Sequence, residues 1–289
     1  MRPGRVWMMS EAFRAALEHY RDHGYAVVRG FFAANEVAAM ASSFDRHWAV
    51  GMARGASWRH GNLFYRVGED AAIGRVVKMV QWPAYEDATL EAVRRDPRWL
   101  GLLEPLLGGD IKQIINQLHW KPPGAAAAEF AFHQDVKSRR PRAAYRNLPD
   151  CYVQTGVAID PHRAANGAMR ILPGSHRLGE LKMGDMGHAL GRQMADEELA
   201  AAGLDPSKVI ELELDPGDVA LWNVFTVHGS GRNTTRVDRR FYLNGYVRAA
   251  DCDRGEWVFR SGQPVRLGAP VLVHYEALHE RPEPHFVED

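Results

Sequence analysis

Short segments rich in β-branched and aromatic residues dominate the chain after residue 110 and constrain its fold most strongly. Each is bounded by Gly, Pro, Asn or Asp, and seven follow one another: IKQIINQLHW, EFAFHQD, CYVQTGVAID, AMRILPG, KVIELEL, DVALWNVFTVH and RRFYLNGYVR. Many short strands separated by turn residues are typical of β-sandwiches and closed barrels. This pattern therefore favours a sandwich or barrel over a parallel α/β sheet.

The chain before residue 110 has a different pattern and is predicted to be mainly helical. Residues 10–24 carry apolar side chains at helical spacing, with Ser10 as a possible N-cap and Gly24 as the stop. A short strand at 25–32 and a second amphipathic helix at 35–48 follow. We expect this region to support the β-rich part of the chain.

The remaining segments complete the predicted organisation. Glycines and polar residues suggest loops after residue 49, and helical periodicity returns over 88–108. The length of 289 residues favours one large domain. We expect a single domain over 1–289, with a helical support (1–109), a β core (110–250) that contains a polar insertion (177–205), and a C-terminal extension (251–289).

Composition and charge exclude several classes of partner. The 36 basic and 36 acidic side chains cancel, so the chain has no general attraction for nucleic acid or anionic lipid. No window approaches the ~18 apolar residues of a membrane span, and the N-terminus lacks the apolar run of a signal peptide. Cys151 and Cys252 are too few for a disulfide framework, and we therefore expect a cytoplasmic protein.

Three side chains suggest a metal centre. On a strand, residues i and i+2 point to the same face, so His133 and Asp135 of the AFHQD segment can converge on one ion. Taken alone, a buried Asp–His hydrogen bond explains the pair better. His228, at the end of another predicted strand, offers a third ligand. Two histidines and a carboxylate leave other positions open, which suits non-haem Fe(II), whereas a structural zinc closes its shell.

An arginine near the third ligand suggests an anion-binding group. Arg239 opens the strand that can pair with the one ending at His228, and a guanidinium fork binds a carboxylate such as that of 2-oxoglutarate. Ser230 lies two residues after His228 and can donate a hydroxyl hydrogen bond to the same group. A surface ion pair is the alternative for Arg239, and Arg236 and Arg240 are close enough to take its place.

These residues occur within motifs of a known family. The chain resembles the phytanoyl-CoA dioxygenase family of Fe(II)/2-oxoglutarate-dependent oxygenases over about residues 10–248. The similarity lies in AALEHYRDHGYAVVRGFFAANEV, INQLHWKPP before FHQD, GVAIDPHRAANGAMRILPGSH and DPGDVALWNVFTVHGSGRNTTRVDRR. The NGAM…PGSH block, followed by PGD and HGSxxN, is the most specific part of this match.

The resemblance implies a fold, cofactors and a site. The fold would be a mainly β double-stranded β-helix, a jelly-roll barrel of cupin type, with flanking helices. His133, Asp135 and His228 would ligate iron, and Arg239, Ser230 and Gln117 would contact 2-oxoglutarate, with O₂ as the second cosubstrate. This sequence departs from many relatives at Arg232 and at Gly156. The difference at Arg232 is not expected to affect the chemistry, and the difference at Gly156 is expected to leave extra room near the cosubstrate.

The resemblance also narrows the reaction. Iron and 2-oxoglutarate imply hydroxylation, desaturation or ring chemistry on a small organic molecule, and hydroxylation is the expected outcome. Halogenating relatives leave the carboxylate position empty for the halide, and here Asp135 fills it. Two alternatives remain: a metal enzyme of the cupin type that uses no oxo acid, which would not need Arg239, and a catalytically silent binding module.

A basic segment follows the metal-binding motif. Residues 137–146 contain Lys137, Arg139, Arg140 and Arg142 and no acidic residue. A solvated surface loop explains the charge, and a mobile lid that meets an anionic group of the substrate explains it equally well.

The remaining conspicuous side chains are given structural roles: His119, His162, His176, His188, Trp120, Trp222 and Phe132.

Overall fold

The computed structural model describes residues 10–126, 128–183, 192, 195–270, 281 and 283–287, so His188 lies outside the described residues. The helices are α1 (Glu11–His23), α2 (Ala34–Arg54), α3 (Ala88–Arg94), α4 (Pro97–Leu107), α5 (Leu148–Cys151) and α6 (Asp196–Ala201). The strands are β1 (Tyr25–Val28), β2 (Trp58–His60), β3 (Leu63–Asp70), β4 (Gly74–Gln81), β5 (Ile111–Lys121), β6 (Phe130–His133), β7 (Tyr152–Ala158), β8 (Met169–Ile171), β9 (Ile210–Leu212), β10 (Val219–Asn223), β11 (His228–Ser230), β12 (Arg239–Arg248), β13 (Glu256–Arg260), β14 (Gln263–Pro264) and β15 (His285–Phe286).

The strands form two antiparallel sheets. The large sheet has the order β1-β10-β7-β12-β5-β4-β3-β2-β15, and β13 joins it on β5 and pairs with β14. The small sheet has the order β6-β11-β8-β9. Apolar side chains of both sheets meet in one cluster that includes Met169 and Ile171 from the small sheet and Trp222 and Phe241 from the large one. The predicted mainly β architecture of two facing sheets is confirmed.

The helices before residue 110 pack with strands of the large sheet. Helix α1 begins after Ser10, whose side chain accepts a hydrogen bond from the Phe13 amide. It ends at Gly24, whose left-handed backbone (φ +78°) favours glycine. Leu17, Met40, Leu102 and Leu103 from these helices join the largest apolar cluster with residues of β1, β5, β7 and β12. The predicted first helix and its two ends are confirmed.

The sequence interpretation was wrong for residues 58–81. The pattern is weak over 49–92 and suggested loops at the glycines of GMARG and the polar RHGN, whereas residues 58–81 form β2, β3 and β4, and β4 pairs with β5. Strand β3 buries Leu63, Tyr65 and Val67 on one face, as an alternating strand does. Arg66 on the cavity face and the exposed Glu69 near the end of the strand obscured the pattern.

Two predicted elements are interrupted in the structure. The helical segment 88–108 divides into α3 and α4 where Asp96, followed by a proline, caps the second helix by accepting from the Arg98 amide. The strand predicted over DVALWNVFTVH divides into β10 and β11, because a turn begins at Asn223 and its side-chain oxygen accepts from the Phe225 amide. The division places β10 in the large sheet and β11 in the small sheet.

The expected space beside Gly156 is filled by an aromatic ring. A Cβ atom at Gly156 would lie 2.1 Å from Cζ of Phe241, so the Phe241 ring occupies that place. The neighbouring Thr155 hydroxyl donates to the Asn244 carbonyl. The expectation of extra room was therefore wrong, because the missing side chain on β7 is replaced by a large one on the paired strand β12.

No helix among the described residues is long and apolar enough to cross a membrane.

We expect Gly156→Ala to destabilise the protein by about 1–3 kcal/mol, because the added methyl group overpacks the Phe241 ring. Urea unfolding measures the change. Gly268→Ala is the matched control, since no described atom lies within 4 Å of its Cβ position. The double variant Gly156→Ala/Phe241→Leu should recover part of the loss. Equal stability of Gly156→Ala and wild type would contradict this account of the packing.

Candidate active site

Three predicted metal ligands meet between the two sheets. His133 ends β6 and faces His228, which begins β11 and is its register partner. The ligand atoms of His133, Asp135 and His228 all lie within 4.8 Å of one another. Nε2 of each histidine is 3.8 Å from an Asp135 carboxylate oxygen. Histidine and carboxylate ligands at these separations can bind one metal ion.

Asp135 reaches this point from a turn and not from a strand. It begins a 3₁₀ turn (Asp135–Ser138), whereas the sequence placed it on the same strand as His133. Gln134 between them keeps an extended backbone, so its side chain still points away from the ligands. The Gln134 amide donates to the carbonyls of Gly179 and Phe225, and its oxygen accepts from the Leu181 amide. These three bonds fix the chain between the two ligands.

Both imidazole rings have a fixed tautomer. Nδ1 of His133 lies 2.8 Å from the Ala131 carbonyl oxygen, and Nδ1 of His228 lies 2.9 Å from that of Thr226. A carbonyl oxygen only accepts, so each Nδ1 carries the proton. Each Nε2 therefore has a free lone pair, as metal ligation requires.

The electrostatics favour the metal-binding protonation states. Burial, followed by the nearby His228, lowers the pKa of His133 to about 4, so its ring is neutral at pH 7. Burial opposes ionisation of Asp135, but the nearby His228 and Arg139 hold its pKa below the usual value. The site thus presents a neutral imidazole and a carboxylate without first releasing protons.

Trp222 fixes the carboxylate, and its role was not recognised in the sequence. Its Nε1–H donates a 2.8 Å hydrogen bond to Oδ2 of Asp135. The indole lies on β10 of the large sheet, beside the His228 ring and stacked with that of Phe241. A tryptophan within a run of apolar residues is typical of the hydrophobic core. Nothing in the neighbouring sequence indicates its hydrogen bond to Asp135, which lies 87 positions earlier in the chain.

A cavity of about 280 Å³ adjoins the three ligands. Its apolar wall comes from Met79, Ile115, Phe130, Met169, Phe241 and Leu243. Its polar wall includes Arg66, Gln81, Gln117, His119, Ser138, Arg139, Gln154, Ser230 and Arg239. The ligands thus lie at a small chamber with several hydrogen-bond donors, a common form of small-molecule sites.

Arg239 is a buried cation in this wall. Its side chain is 3% exposed and forms no hydrogen bond or ion pair with any described residue. Burial lowers its pKa to about 10, and it remains charged at pH 7. Arg236 is exposed, and Arg240 pairs with Asp160, so of the three arginines considered Arg239 alone faces the cavity. A buried unpaired guanidinium is costly and calls for an anion.

Ser230 and Gln117 lie in the same wall, and two further residues position them. Nε2–H of His119 donates to the amide oxygen of Gln117 at 3.0 Å, which leaves the Gln117 NH₂ group as the free end. Burial lowers the pKa of His119 to about 3, so its ring is neutral. The buried Nζ of Lys121 donates to the carbonyls of Ser230 and Gly231. His119 was given only a structural role from the sequence, and Lys121 was not singled out.

The basic segment divides into two parts. Arg139 is 3% exposed, lines the cavity and donates to the Tyr152 hydroxyl at 2.8 Å. Lys137, Arg140 and Arg142 instead surround Glu180, which belongs to the insertion. None of these three is among the described residues that line the cavity. The sequence could not separate the two groups, because Glu180 is distant in the chain.

The other predicted side chains keep structural roles. Nε2 of His162 and of His176 contacts the carbonyls of Arg240 and Arg21, respectively. Trp120 and Phe132 lie in apolar clusters.

Comparison with known proteins gives the family. A profile of the phytanoyl-CoA dioxygenase (PhyH) family matches residues 20–241. The chain belongs to this family.

Individual relatives agree with that membership. A probable alpha-ketoglutarate-dependent hypophosphite dioxygenase of Stutzerimonas stutzeri is 29% identical over 244 residues, which cover 82% of this chain and 79% of that protein. The epimerase SnoN from nogalamycin biosynthesis, solved with Fe³⁺, alpha ketoglutarate and nogalamycin RO, has a TM-score of 0.61 at 22% identity and covers 90% of this chain and 95% of its own. EctD from S. alaskensis with bound Fe has a TM-score of 0.63 at 20% identity, with coverage of 89% and 86%.

These findings confirm the predicted family, enzyme class and fold. The phytanoyl-CoA dioxygenase match covers β1 to β11 and the start of β12, and the two solved structures have the same jelly-roll architecture with flanking helices. Iron and 2-oxoglutarate, the predicted cofactors, are those named for these relatives, in which alpha-ketoglutarate is the same compound. The roles of the individual site residues stay predictions.

We expect Trp222→Phe to weaken metal binding by this dioxygenase about 10-fold, because a smaller aromatic side chain remains but the hydrogen bond that orients Asp135 is lost. Isothermal titration of the metal-free protein with Fe(II) under anaerobic conditions measures the affinity. Trp120→Phe is the control, since it makes the same change in the core away from the ligands. Unchanged affinity in Trp222→Phe would show that the indole does not orient the ligand.

Proposed function

We propose that this enzyme binds Fe(II) through His133, Asp135 and His228, and that it hydroxylates a small organic molecule while 2-oxoglutarate is decarboxylated to succinate. One observation carries the proposal. A cluster of three metal-ligating side chains shares a cavity with a buried guanidinium that no described acidic side chain pairs with. A dianionic cosubstrate that chelates the metal would bind both to the metal centre and to the buried guanidinium.

The donor set fits iron. Among the described residues, His133, Asp135 and His228 are the one group of His, Cys, Asp or Glu side chains arranged to hold a metal. Three protein ligands leave coordination positions for a chelating cosubstrate and for oxygen. A structural zinc site needs a fourth protein ligand, which this cluster lacks.

The cavity wall fits 2-oxoglutarate. We assign its distal carboxylate to Arg239, whose planar fork donates two parallel hydrogen bonds. The buried Ser230 hydroxyl and the free NH₂ end of Gln117 supply further donors in the same wall. His119 is a positioning residue, because it fixes which end of the Gln117 amide faces the cavity.

Bound iron would supply the activation of O₂. One oxygen atom would enter succinate as 2-oxoglutarate loses CO₂ and gives two electrons, and the other would enter the substrate C–H bond, which gives the remaining two. The protein positions the reactants and limits water. Trp222 holds the Asp135 carboxylate in place, and the imidazoles are held by the Ala131 and Thr226 carbonyls. Apolar side chains of both sheets line the chamber and reduce competing hydrolysis and side reactions. Asp135 occupies the position that halogenating relatives leave empty, so we propose hydroxylation.

We also infer that residues 1–289 act as one domain, since the largest apolar cluster combines helices before residue 108 with strands after residue 110.

The substrate is proposed to be a small molecule, in keeping with a chamber of about 280 Å³. A balanced net charge gives no reason to expect a nucleic-acid partner. The cytoplasmic location predicted from two unpaired cysteines stays a prediction.

An anaerobic titration separates this proposal from its alternatives. Protein with Fe(II) should develop a weak visible charge-transfer band when 2-oxoglutarate is added. A metal enzyme that uses no oxo acid would bind Fe(II) without the band, and a silent binding module would not bind Fe(II) tightly. Either of these results would overturn the proposed function.

We expect Asp135→Ala and His228→Ala to lose Fe(II) binding and turnover while the fold survives, because each removes a ligand from a framework held by other contacts. Metal titration and thermal unfolding of the metal-free protein measure the two properties separately. Asp22→Ala changes an exposed carboxylate and is the control. Full turnover by Asp135→Ala would show that the ligand assignment is wrong.

We expect Arg239→Lys to weaken 2-oxoglutarate binding by about 2 kcal/mol, roughly 30-fold, because an ammonium group cannot form the two parallel bonds of the fork. The charge-transfer band, titrated with 2-oxoglutarate, measures the affinity. Arg236→Lys makes the same exchange on an exposed side chain and should bind normally. If Arg236→Lys shows the loss and Arg239→Lys does not, the anion lies elsewhere.

A further inference from the structure

Strands β3 and β4, which the sequence did not predict, form one wall of the cavity. They contribute Arg66, Met79 and Gln81 to its lining. Arg66 is the register partner of Met79, which pairs in turn with His119 of β5, and Gln81 pairs with Gln117 of β5. Alternate residues of a strand face the same side of a sheet. These side chains therefore form two adjacent rows on the cavity face of the large sheet.

This wall lies on an open side of the cavity. Arg66, Met79 and Gln81 are all partly exposed, whereas Arg239 and Trp222 are buried. In the order of the sheet, β4 and β5 separate β3 from β12, which carries Arg239, so the two backbones are about 14 Å apart along the sheet. If 2-oxoglutarate takes the buried Arg239, the β3–β4 wall is open to a second molecule that enters from solvent.

The charge of Arg66 has no partner in the described part of the chain. Its guanidinium forms no hydrogen bond or ion pair with any described residue. Glu69, further along β3, pairs with Arg75. Asp135 is the one carboxylate among the described residues that line the cavity, and it is assigned to the metal. The guanidinium of Arg66 is therefore available to a ligand in the cavity.

Gln81 provides a second donor beside Arg66. Gln81 lies directly opposite Phe64 of β3, so Arg66, two residues further on, is its diagonal neighbour, and long side chains at such positions can reach one group. The Gln81 Nε2 atom donates to the Met79 sulfur at 3.5 Å, and a thioether is a weak acceptor. A guanidinium and an amide NH₂ group on neighbouring strands suit one oxyanion.

We propose that Arg66, together with Gln81, binds an oxyanion group of the substrate, either a carboxylate or a phosphorus oxyanion, and so selects small anionic molecules. This inference rests on the proposed function, because it assigns 2-oxoglutarate to Arg239 and leaves the β3–β4 wall to the substrate. His133, Asp135 and His228 line the same chamber of about 280 Å³, so the anionic group and the reacting carbon belong to one small molecule.

Binding of simple anions tests the proposal. Protein loaded with Fe(II) and saturating 2-oxoglutarate, without oxygen and at low ionic strength, is titrated by calorimetry with butyrate, propylphosphonate and neutral butyramide. We expect saturable binding of at least one anion and at least 10-fold weaker binding of butyramide. The charge-transfer band should persist, because the anion does not displace 2-oxoglutarate. The two anions distinguish a carboxylate from a phosphorus oxyanion as the preferred group.

Variants assign the binding to Arg66. Arg66→Gln should weaken binding of the preferred anion at least 5-fold, because a charge-assisted bond is lost, and leave 2-oxoglutarate affinity within about 2-fold of wild type. Arg75→Gln makes the same exchange on an exposed arginine of β4 that pairs with Glu69, and this control should bind the anion normally. Gln81→Leu removes the amide donor and should weaken anion binding several-fold, which keeps a test available if Arg66→Gln does not fold.

Several results would overturn the inference. In wild type these are no saturable anion binding, equal binding of butyrate, propylphosphonate and butyramide, or loss of the charge-transfer band when the anion is added. In Arg66→Gln they are unchanged anion affinity or a clear loss of 2-oxoglutarate affinity, and if that variant does not fold, unchanged anion affinity in Gln81→Leu decides. A normal band in wild type before the anion is added would leave the proposed function intact, whereas its absence would overturn the proposed function itself.

Discussion

The hydrogen bond from Trp222 to Asp135 is the interaction on which the site depends. Trp222 belongs to the large sheet, and Asp135 follows β6 of the small sheet, so this bond joins the two sheets where the predicted metal ligands meet. It also fixes the carboxylate between two imidazoles whose own orientation is set by backbone carbonyls. The ligand geometry is therefore determined by the packing of one sheet on the other.

Three buried basic side chains lie in the cavity wall or contact a residue of it. Lys121, Arg139 and Arg239 are all nearly inaccessible to solvent, although burying a charge is unfavourable. Burial, followed by the charge of Arg239, lowers the pKa of Lys121 well below its usual value, and two backbone carbonyls accept its hydrogen bonds. Arg239 has no such partners among the described residues. Lys121 thus holds the backbone, whereas Arg239 is the group to which we assign the anion.

The sequence predicted features encoded by local patterns or by family motifs. The first helix with its caps, the β-rich core, the convergence of His133, Asp135 and His228 and the inward-facing arginine were all identifiable. Features that depend on distant partners were not. Strand β3 was obscured by polar residues on its cavity and solvent faces, and Trp222 resembled an ordinary core residue until its partner was known. Gly156 suggested a void because Phe241, which fills it, comes from another strand.

Gln134 links the insertion to the segment that carries two of the predicted metal ligands. Its side chain bonds to the backbone of Gly179 and Leu181 at the start of the insertion and to Phe225 in the turn before β11, while its backbone connects two ligands. The start of the insertion is thus hydrogen-bonded to the buried amide of Gln134 and not to the imidazole of His133 or the carboxylate of Asp135. Beyond Leu181 the insertion still contacts the segments that carry the predicted ligands, because Met183 and Leu199 pack with Phe132 and Val227, the residues before His133 and His228.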